Sequence, residues 1–290
     1  MKEFKIIVLA KQVPDTRNVG KDAMKADGTV NRSVLPAIFN PEDLHALEQA
    51  LRIKDQFPGS TITLLTMGPP RAAEILRESF YRGADDGILL TDRAFAGSDT
   101  LATSYAISCA IRKIPYDIIV CGRQAIDGDT AQVGPQVAEK LGIPQITYAE
   151  EIVSLTKDKI QVKRRLEHGI EIVEGLLPLL ITVNSSAPHC RPRNARRLMK
   201  YKHASTLSSR QETDEDYLSS ANTNNNLNIK EWSVNEIVCE GDQLGLGGSP
   251  TKVKKVENIV FQSKESRRLE DMDEDINDLM KELINSHIVG

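Results

Sequence analysis

The first two-thirds of the chain alternates between two kinds of segment. Short runs of β-branched and other apolar residues recur at regular intervals, and the stretches between them carry apolar residues three and four positions apart. Each apolar run is nearly unbroken, as in strands that are buried on both faces of a parallel sheet. The alternation predicts a doubly wound, mostly parallel α/β sheet with helices on both faces. The predicted strands are Phe4–Ala10, Thr61–Thr66, Gly87–Leu90 and Tyr116–Cys121, and the predicted helices are Asn40–Lys54, Arg71–Arg82, Ser98–Lys113 and Thr130–Leu141.

The pattern changes after Gly142, where four shorter apolar runs are separated by turn residues. We interpret these runs as an antiparallel extension at one edge of the sheet. From Asn184 the chain becomes irregular: Pro188–His203 holds six Lys or Arg and no acid, and Ser219–Asn228 has the composition of a polar linker. Ser266–Ser286 is an acidic, amphipathic helix candidate that we expect to pack on this chain or on a partner. The four runs are Ile146–Leu155, Ile160–Arg165, Ile170–Glu174 and Leu179–Val183.

The composition argues against several classes of protein. The chain has 37 Lys and Arg against 41 Asp and Glu, a net charge of −4 that argues against a nucleic-acid binder. No apolar run approaches the roughly 20 residues that span a bilayer, and the run before Lys11 is too short for a signal peptide. The four cysteines are far apart, which fits neither a disulfide framework nor a metal site. We therefore expect a soluble, cytoplasmic protein without membrane insertion, nucleic-acid binding or a metal centre.

The loop after the fourth predicted strand is the most informative candidate site, because parallel sheets bind ligands at the carboxyl ends of their strands. Gly122 allows close backbone approach, Gly128 permits a positive φ, and Asp129 or Thr130 can cap the next helix. Such a loop directs backbone N–H groups and the helix dipole at a phosphate. Asp127 and Asp129 would repel a phosphate, so they bind ribose hydroxyls, cap the helix or face away. An ordinary strand–turn–helix joint is the alternative.

Other nucleotide and catalytic motifs are missing from the sequence. It contains no G-x-G-x-x-G after its first strand, no G-x-x-x-x-G-K-[ST] and no G-x-S-x-G. The five histidines form no cluster. The glycine-rich stretch Cys239–Thr251 follows the irregular region instead of joining a strand to a helix, so it is weak evidence for a nucleotide site. We therefore expect a nucleotide site without a catalytic acid, base or nucleophile.

Four segments carry a family resemblance. Lys11-Gln12-Val13-Pro14-Asp15 follows the first strand, and Asn40-Pro41-Glu42-Asp43 precedes a helix that contains Ala46-Leu47-Glu48-Gln49-Ala50-Leu51. Gly83-Ala84-Asp85 is the third, and Gly122-Arg123-Gln124-Ala125-Ile126-Asp127-Gly128-Asp129 is the most specific. In this combination the chain resembles the β-subunit of electron transfer flavoproteins along essentially its whole length. The resemblance implies a Rossmann-like sheet, a heterodimer with an α-subunit and an adenine nucleotide held by the β-subunit.

The resemblance also implies which nucleotide is bound and where. In ordinary members of the family the β-subunit holds a structural AMP, and in electron-bifurcating members it holds a second FAD that takes a hydride from NADH. Thr91–Thr100, together with Asp129–Pro135, resembles the bifurcating branch, in which the region after the third strand lies near the flavin ring. We therefore expect FAD, with AMP as the alternative. The implied cofactor-binding residues are Ala10, Asn40, Pro41, Glu42, Asp43, Thr66, Gly97, Asp99, Thr100, Gly122, Arg123, Gln124, Ala125, Ile126, Asp127, Gly128, Asp129, Thr130, Ala131, Gln132 and Val133, and Arg123 is the expected phosphate or pyrophosphate cation.

The implied function is the transfer of electrons from NADH to ferredoxin and, through an α-subunit FAD, to a flavin-dependent dehydrogenase. That dehydrogenase would dock at the 184–203 loop, although Ala187 stands where a bulky apolar anchor is usual and four arginines follow. We expect residues 1–183 to form the nucleotide-binding domain, 184–228 the recognition loop and linker, and 229–290 an arm that packs on the α-subunit. The alternatives are a non-bifurcating β-subunit that holds AMP and, more distantly, a stand-alone adenine-nucleotide-binding α/β protein.

Overall fold

A computed structural model describes residues 3–15, 35–206, 208, 229–251, 268–270, 272–286 and 288–289. The strands in chain order are β1 (Lys5–Leu9), β2 (Gln12–Pro14), β3 (Ala37–Phe39), β4 (Thr61–Met67), β5 (Asp86–Leu90), β6 (Ile118–Gly122), β7 (Gln145–Leu155), β8 (Lys159–Leu166), β9 (Gly169–Leu176), β10 (Leu179–Val183) and β11 (Lys230–Trp232). The helices are α1 (Pro41–Gln56), α2 (Ala73–Arg82), α3 (Thr100–Ile111), α4 (Val133–Leu141), α5 (Ala195–Tyr201) and α6 (Asp273–Asn285).

Within these residues, nine strands form one sheet in the order β11-β5-β4-β1-β6-β10-β7-β8-β9. The strands from β11 to β7 pair in parallel, whereas β8 and β9 are antiparallel. From β1 the chain passes to β4 and β5 on one side and then returns to β6 on the other side. The mostly parallel α/β fold with an antiparallel extension is therefore confirmed, and the direction of winding reverses beside β1, where such sheets bind ligands.

Alternate residues of the central strands belong to two separate cores, as a sheet covered on both faces requires. In β1, Ile6 and Val8 are buried with α1 and α2, whereas Ile7 and Leu9 are buried with α3 and α4. The same alternation holds in β6, where Ile119 and Cys121 share the second core. Because each strand is apolar on both faces, its sequence shows an unbroken apolar run.

One prediction about the sheet is wrong. Leu179–Val183, expected in the antiparallel extension, is β10 and lies between β6 and β7, parallel to both. All five residues are buried, and this interior position explains an apolar run without alternation. The adjacent strand β7 belongs to both regions, because it pairs in parallel with β10 and, further along, antiparallel with β8. An extra residue in β7 shifts the register there, where Tyr148 has a φ of 59°.

The described residues after 229 add to the sheet before they reach α6. β11 pairs with β5, and the Thr91 N–H donates to the Trp232 carbonyl at 2.9 Å. The predicted C-terminal helix is present as α6, and three of its apolar side chains and that of its N-cap residue are 43–57% exposed. None of the described helices has the length and apolar character needed to cross a bilayer. The exposed side chains are Met272, Ile276, Met280 and Ile284.

Candidate functional site

The start of α1 lies against the ends of β1 and β6. The Asp43 carboxylate accepts the Lys11 N–H at 2.8 Å on one oxygen and the Gly122 N–H at 2.9 Å on the other. The approach is close, because a Cβ at Gly122 would lie 2.5 Å from Asp43 Oδ1. Glycine is therefore required at position 122, as the sequence indicated. Burial raises the pKa of Asp43 to about 7, against the opposing effect of its hydrogen bonds.

Two further residues at the start of α1 hold the main chain of the same loop. Glu42 accepts the Gln124 N–H at 3.0 Å and the Arg123 Nη2 at 3.2 Å. The Asn40 amide donates to the Gln124 carbonyl at 2.9 Å and accepts the Ile126 N–H at 3.3 Å. The segments 40–43 and 122–129 therefore contact each other directly. We expected from the sequence that they would share a site.

The Arg123 side chain is directed at protein groups. Its Nη2 lies on Glu42, and its guanidinium carbon lies 5.7 Å from the centre of the Tyr148 ring. We expected this arginine to hold a phosphate, but Glu42 balances its charge in this structure. The Arg123 Nε is buried without a hydrogen-bond partner among the described residues, so it remains a candidate phosphate donor beside the backbone N–H groups of this loop.

Asp127 and Asp129 have protein partners, so their carboxylates are engaged within the protein and not directed at a phosphate. Lys11 Nζ contacts both carboxylate oxygens of Asp127 at 2.8 Å, and Gln124 Nε2 donates to Asp129 at 2.9 Å. The Lys11–Asp127 pair joins the loops after β1 and β6. Lys11 was not among the predicted site residues, although the motif that contains it was recognised.

The start of α4 differs from the prediction. The helix begins at Val133 and its N-cap is Gln132, which makes no side-chain cap, so neither Asp129 nor Thr130 caps it. The left-handed residues are Asp129 (φ 49°) and Ala131 (φ 53°), not Gly128. These non-glycine residues adopt a conformation that is uncommon and concentrated at functional sites.

This strained segment presents donors that suit an anion. Among the described residues, the backbone N–H groups of Thr130, Ala131 and Gln132 have no protein acceptor. Ala131 has a positive φ, and Gln132 after it is right-handed (φ −101°, ψ −31°). Successive N–H groups in such an alternation form an anion-binding concavity, here at a helix N-terminus. The geometry supports the phosphate site, with its centre moved from Gly128 to residues 130–133.

The segment after β5 lies beside this concavity. The Thr100 hydroxyl donates to the Gln132 side chain at 2.9 Å, which joins the starts of α3 and α4. Asp99 caps α3 by accepting the Leu101 and Ala102 N–H groups at 3.0 Å. Its other oxygen accepts the hydroxyl of Thr251 at 2.6 Å. Burial acts to raise the pKa of Asp99, but these hydrogen bonds hold it below its usual value.

The glycine-rich stretch 239–251 packs on the segment after β5, which the sequence did not indicate. The Asp99 N–H donates to Ser249 Oγ at 2.8 Å. Gly97 has a φ of 75°, and a Cβ there would lie 3.3 Å from Leu246. Ser249 and Thr251 thus fix Gly97 and Asp99, which leaves Asp99 as a positioning residue in this geometry. Nothing in the sequence spacing connected two segments about 150 residues apart.

The two remaining predicted contact residues, Ala10 and Thr66, also lie at the carboxyl ends of parallel strands. Ala10 follows β1, and its N–H donates to the Leu65 carbonyl at 3.1 Å. Thr66, near the end of β4, has a buried hydroxyl without a hydrogen-bond partner among the described residues. An unsatisfied buried hydroxyl at this edge fits a bound polar ligand. The residues present therefore fit a ligand that carries phosphate and other polar groups, as a nucleotide does.

The basic segment after β10 is anchored to α1 and α2. Arg191 contacts Glu48 at 2.9 Å and Asp55 at 2.8 Å, and Arg193 contacts Glu78 at 3.1 Å. The position at which the family usually has an apolar anchor, Ala187, is 4% exposed in this chain. The exposed residues of the segment include Arg196, Met199, Lys200 and Lys202.

The fold is a mostly parallel α/β sheet with a candidate nucleotide site at the carboxyl ends of β1 and β6, and the comparisons with known proteins specify its class. The chain belongs to the electron transfer flavoprotein family, because the family model for the electron transfer flavoprotein domain matches residues 27–205. The electron transfer flavoprotein subunit beta of Clostridium acetobutylicum is 44% identical over 250 residues, 86% of each chain. The family resemblance is therefore confirmed, and the chain is an electron transfer protein of the β-subunit type.

Two further relatives have names that mention reductases. The acryloyl-CoA reductase electron transfer subunit gamma of Anaerotignum propionicum is 41% identical over 297 residues, 99% of this chain and 100% of that protein. The caffeyl-CoA reductase-Etf complex subunit CarD of Acetobacterium woodii is 50% identical over 180 residues, 62% of this chain and 68% of that protein.

Proposed function

We propose that this chain is the β-subunit of a heterodimeric, electron-bifurcating electron transfer flavoprotein of the cytoplasm, with FAD bound at the edge formed by β1, β4 and β6. Electrons from NADH pass to ferredoxin and, through an α-subunit FAD, to a flavin-dependent dehydrogenase. The observation that carries the proposal is the contact of residues 40–43 with residues 122–126 beside β1, in the loop that leads to residues 130–133. The free N–H groups of Thr130–Gln132 give this site its phosphate donors.

Two observations favour FAD over AMP. The segment Gly97–Thr100 is held against the start of α4 through Thr100 and Gln132, so the site extends beyond the cradle toward α3. One relative is named as an electron transfer subunit of acryloyl-CoA reductase, and another is named as a subunit of a caffeyl-CoA reductase-Etf complex. When bound, the flavin supplies hydride acceptance from NADH and the separation of two electrons. The chain's own residues bind and orient it.

In this proposal the α-subunit covers the apolar side of α6. The apolar side of this helix is exposed in the described part of the chain, and an exposed apolar stripe is typical of a surface that packs on a partner. The name of one relative includes a reductase–Etf complex, which agrees with an obligate assembly. We propose that the arm after residue 251 packs on the α-subunit.

The dehydrogenase docks at residues 184–203 in this proposal. Arg191 and Arg193 are anchored on α1 and α2, so they shape the segment. The exposed Arg196, Lys200 and Lys202 leave a positive surface with Met199, which is 63% exposed. A positive surface steers an acidic partner and strengthens docking at low salt.

A glycine substitution tests the placement of the nucleotide. A Cβ at Gly128 meets no atom within 4 Å, so a side chain there causes no clash inside the described protein. Gly128→Val should therefore keep the fold. Because Gly128 lies in the loop that leads to the Thr130–Gln132 donors, the added side chain should weaken binding of the β-site nucleotide while the α-subunit flavin stays bound. Gly169→Val is the matched control, because Gly169 also has nothing within 4 Å and lies in the antiparallel extension. Unchanged nucleotide content in purified Gly128→Val heterodimer would contradict the placement.

A further inference from the structure

We propose that Asn40, Glu42 and Asp43 are positioning residues, which set the shape of the nucleotide cradle while their side chains stay out of contact with the nucleotide. This inference rests on the proposed function, because it assigns roles within the same site. It changes the expectation drawn from the family resemblance, in which these residues are nucleotide contacts.

The first observation is that these side chains are buried and that each of their polar atoms already has a partner within the protein. Asn40 is 0% exposed, and Glu42 and Asp43 are each 6% exposed. All six of their side-chain nitrogen and oxygen atoms have a protein partner: Lys11, Gly122, Arg123, Gln124 or Ile126. Buried polar groups that are fully satisfied within the protein gain nothing from turning to a ligand.

The second observation is the regularity of the contacts. The N–H groups of Gly122, Gln124 and Ile126, which are alternate residues, each donate to one residue at the start of α1. The Gln124 carbonyl is held as well. The start of α1 therefore holds the main chain of the loop at every second residue, and this fixes how the chain arrives at the strained residues 129–131.

The third observation is that Asp43 connects two loops. One carboxylate oxygen accepts from Lys11 after β1 and the other accepts from Gly122 at the end of β6. The bond from Gly122 is buried and the bond from Lys11 is partly buried, so the spacing of the two loops depends on an acceptor at both oxygens. An amide in place of the carboxylate would direct an NH₂ group at one of these N–H groups and force them apart.

The charge of Asp43 offers a readout that a purely structural role would not give. Burial raises the pKa of Asp43 to about 7, the hydrogen bonds from Lys11, Asn40 and Gly122 oppose this, and the charge of Glu42 adds to it. The Cys121 thiol is also near Asp43, whereas the nearby cations are paired elsewhere: Arg123 with Glu42 and the Lys11 ammonium with Asp127. If the bound form needs the ionised carboxylate, nucleotide affinity falls toward about tenfold per pH unit below pH 7.

The test uses the full chain in complex with its partner subunit, stripped of nucleotide, and measures the Kd for FAD and for AMP between pH 5.5 and 8.5. We expect wild-type affinity to fall at least about tenfold from pH 8 to pH 6. Asp43→Asn should bind at least about tenfold more weakly at pH 8 and should show no inflection near pH 7. Asp85→Asn is the matched control: Asp85 also accepts a backbone N–H, from Ile62 at 2.9 Å, but before β5 at the opposite edge of the sheet. It should behave as wild type.

These measurements test the positioning role and the proposed function separately. Wild-type affinity and pH dependence in Asp43→Asn would overturn the positioning role and leave the proposed function standing. A wild-type complex that binds neither FAD nor AMP at this chain would instead overturn the proposed function. If Asp43→Asn does not fold, Glu42→Gln decides the inference. It should bind about three- to tenfold more weakly and keep the pH dependence, and unchanged affinity would overturn the proposal.

Discussion

Gly122 lies at the point where β6 comes closest to α1, and its hydrogen atom is what permits the contact. A Cβ there would lie 2.5 Å from Asp43 Oδ1 and 2.7 Å from the Glu42 carbonyl carbon. We expect Gly122→Ala to lower the free energy of unfolding by about 1–3 kcal/mol, because the backbone atoms cannot move aside, and to weaken nucleotide binding.

Urea unfolding of the purified complex measures the effect of Gly122→Ala. Gly169→Ala is the control, since its Cβ meets nothing, and it should change the free energy of unfolding by less than about 0.5 kcal/mol. A Gly122→Ala protein as stable as the control would contradict the close approach.

Asp43 gives a second prediction at the scale of a single residue, on stability. Its folded pKa of about 7 lies above the ordinary value of 3.8, so the folded state binds the proton more tightly than the unfolded chain does. The stability that Asp43 contributes is therefore full below pH 4 and is lost as pH rises to about 7, up to about 4 kcal/mol by linkage.

Paired urea titrations of wild type and Asp43→Asn without nucleotide test this sign. The difference in unfolding free energy between the two proteins should shift against wild type as pH rises from 4 to 7. A difference that is constant with pH, or one that moves in favour of wild type, would show that burial does not dominate at Asp43.

At the scale of elements, α1 connects the nucleotide site with the basic segment after β10. Its first turn holds the 122–126 loop, and Glu48 further along accepts the Arg191 backbone N–H and guanidinium at 2.9–3.0 Å. His45 Nδ1 lies 2.9 Å from the Pro188 carbonyl oxygen. One buried helix therefore carries contacts to both of the regions to which the proposal gives a function.

Glu48→Gln should release the basic segment. Burial acts to raise the pKa of Glu48, but the hydrogen bonds and charge of Arg191 lower it overall. Its contribution is therefore present at neutral pH and lost as pH falls below about 4.5. We expect a loss of about 1–2 kcal/mol at pH 7, a difference from wild type that shrinks as the pH is lowered further below 4.5, and faster tryptic cleavage in the segment. Glu174→Gln, in an exposed pair, should change little. Equal cleavage rates in Glu48→Gln and wild type would contradict the anchoring.

The elements differ in how far the sequence determined them. The alternating runs predicted β1, β4, β5 and β6, because strands buried on two faces need continuous apolar sequence. The assignment of β10 was wrong because an apolar run does not reveal whether a strand is parallel or antiparallel to its neighbours. That is shown only by the pairing of β10 with β6 and β7. The start of α4 was misplaced because Thr130 is a good capping residue, whereas the chain adopts two left-handed residues before Val133 instead.

The site was predictable to a similar degree. Segments 40–43 and 122–129 were assigned together through the family resemblance. The engagement of Asp127 by Lys11 and of Asp99 by Thr251 was not predictable, because each joins residues more than 100 positions apart. Such contacts depend on tertiary packing and leave no periodic signal.

At the scale of the whole molecule, α6 is the helix whose apolar side is not covered by any other described part of this chain. Ile276 and Met280 are 47% and 43% exposed on its apolar side. Ile276→Glu with Met280→Glu should abolish co-purification with the α-subunit and leave the sheet folded. Asn277→Glu with Asn285→Glu adds the same charge to exposed polar positions and should assemble normally. Size-exclusion mass measures both, and intact heterodimer from the first variant would contradict the role of the arm.

The central claim is that the edge formed by β1, β4 and β6 holds a second FAD. Extraction and chromatography of the nucleotides from the purified heterodimer test this directly, with NADH reduction followed on the same sample. We expect two FAD per heterodimer and flavin reduction by NADH. One FAD with one AMP, and no reduction by NADH, would contradict it.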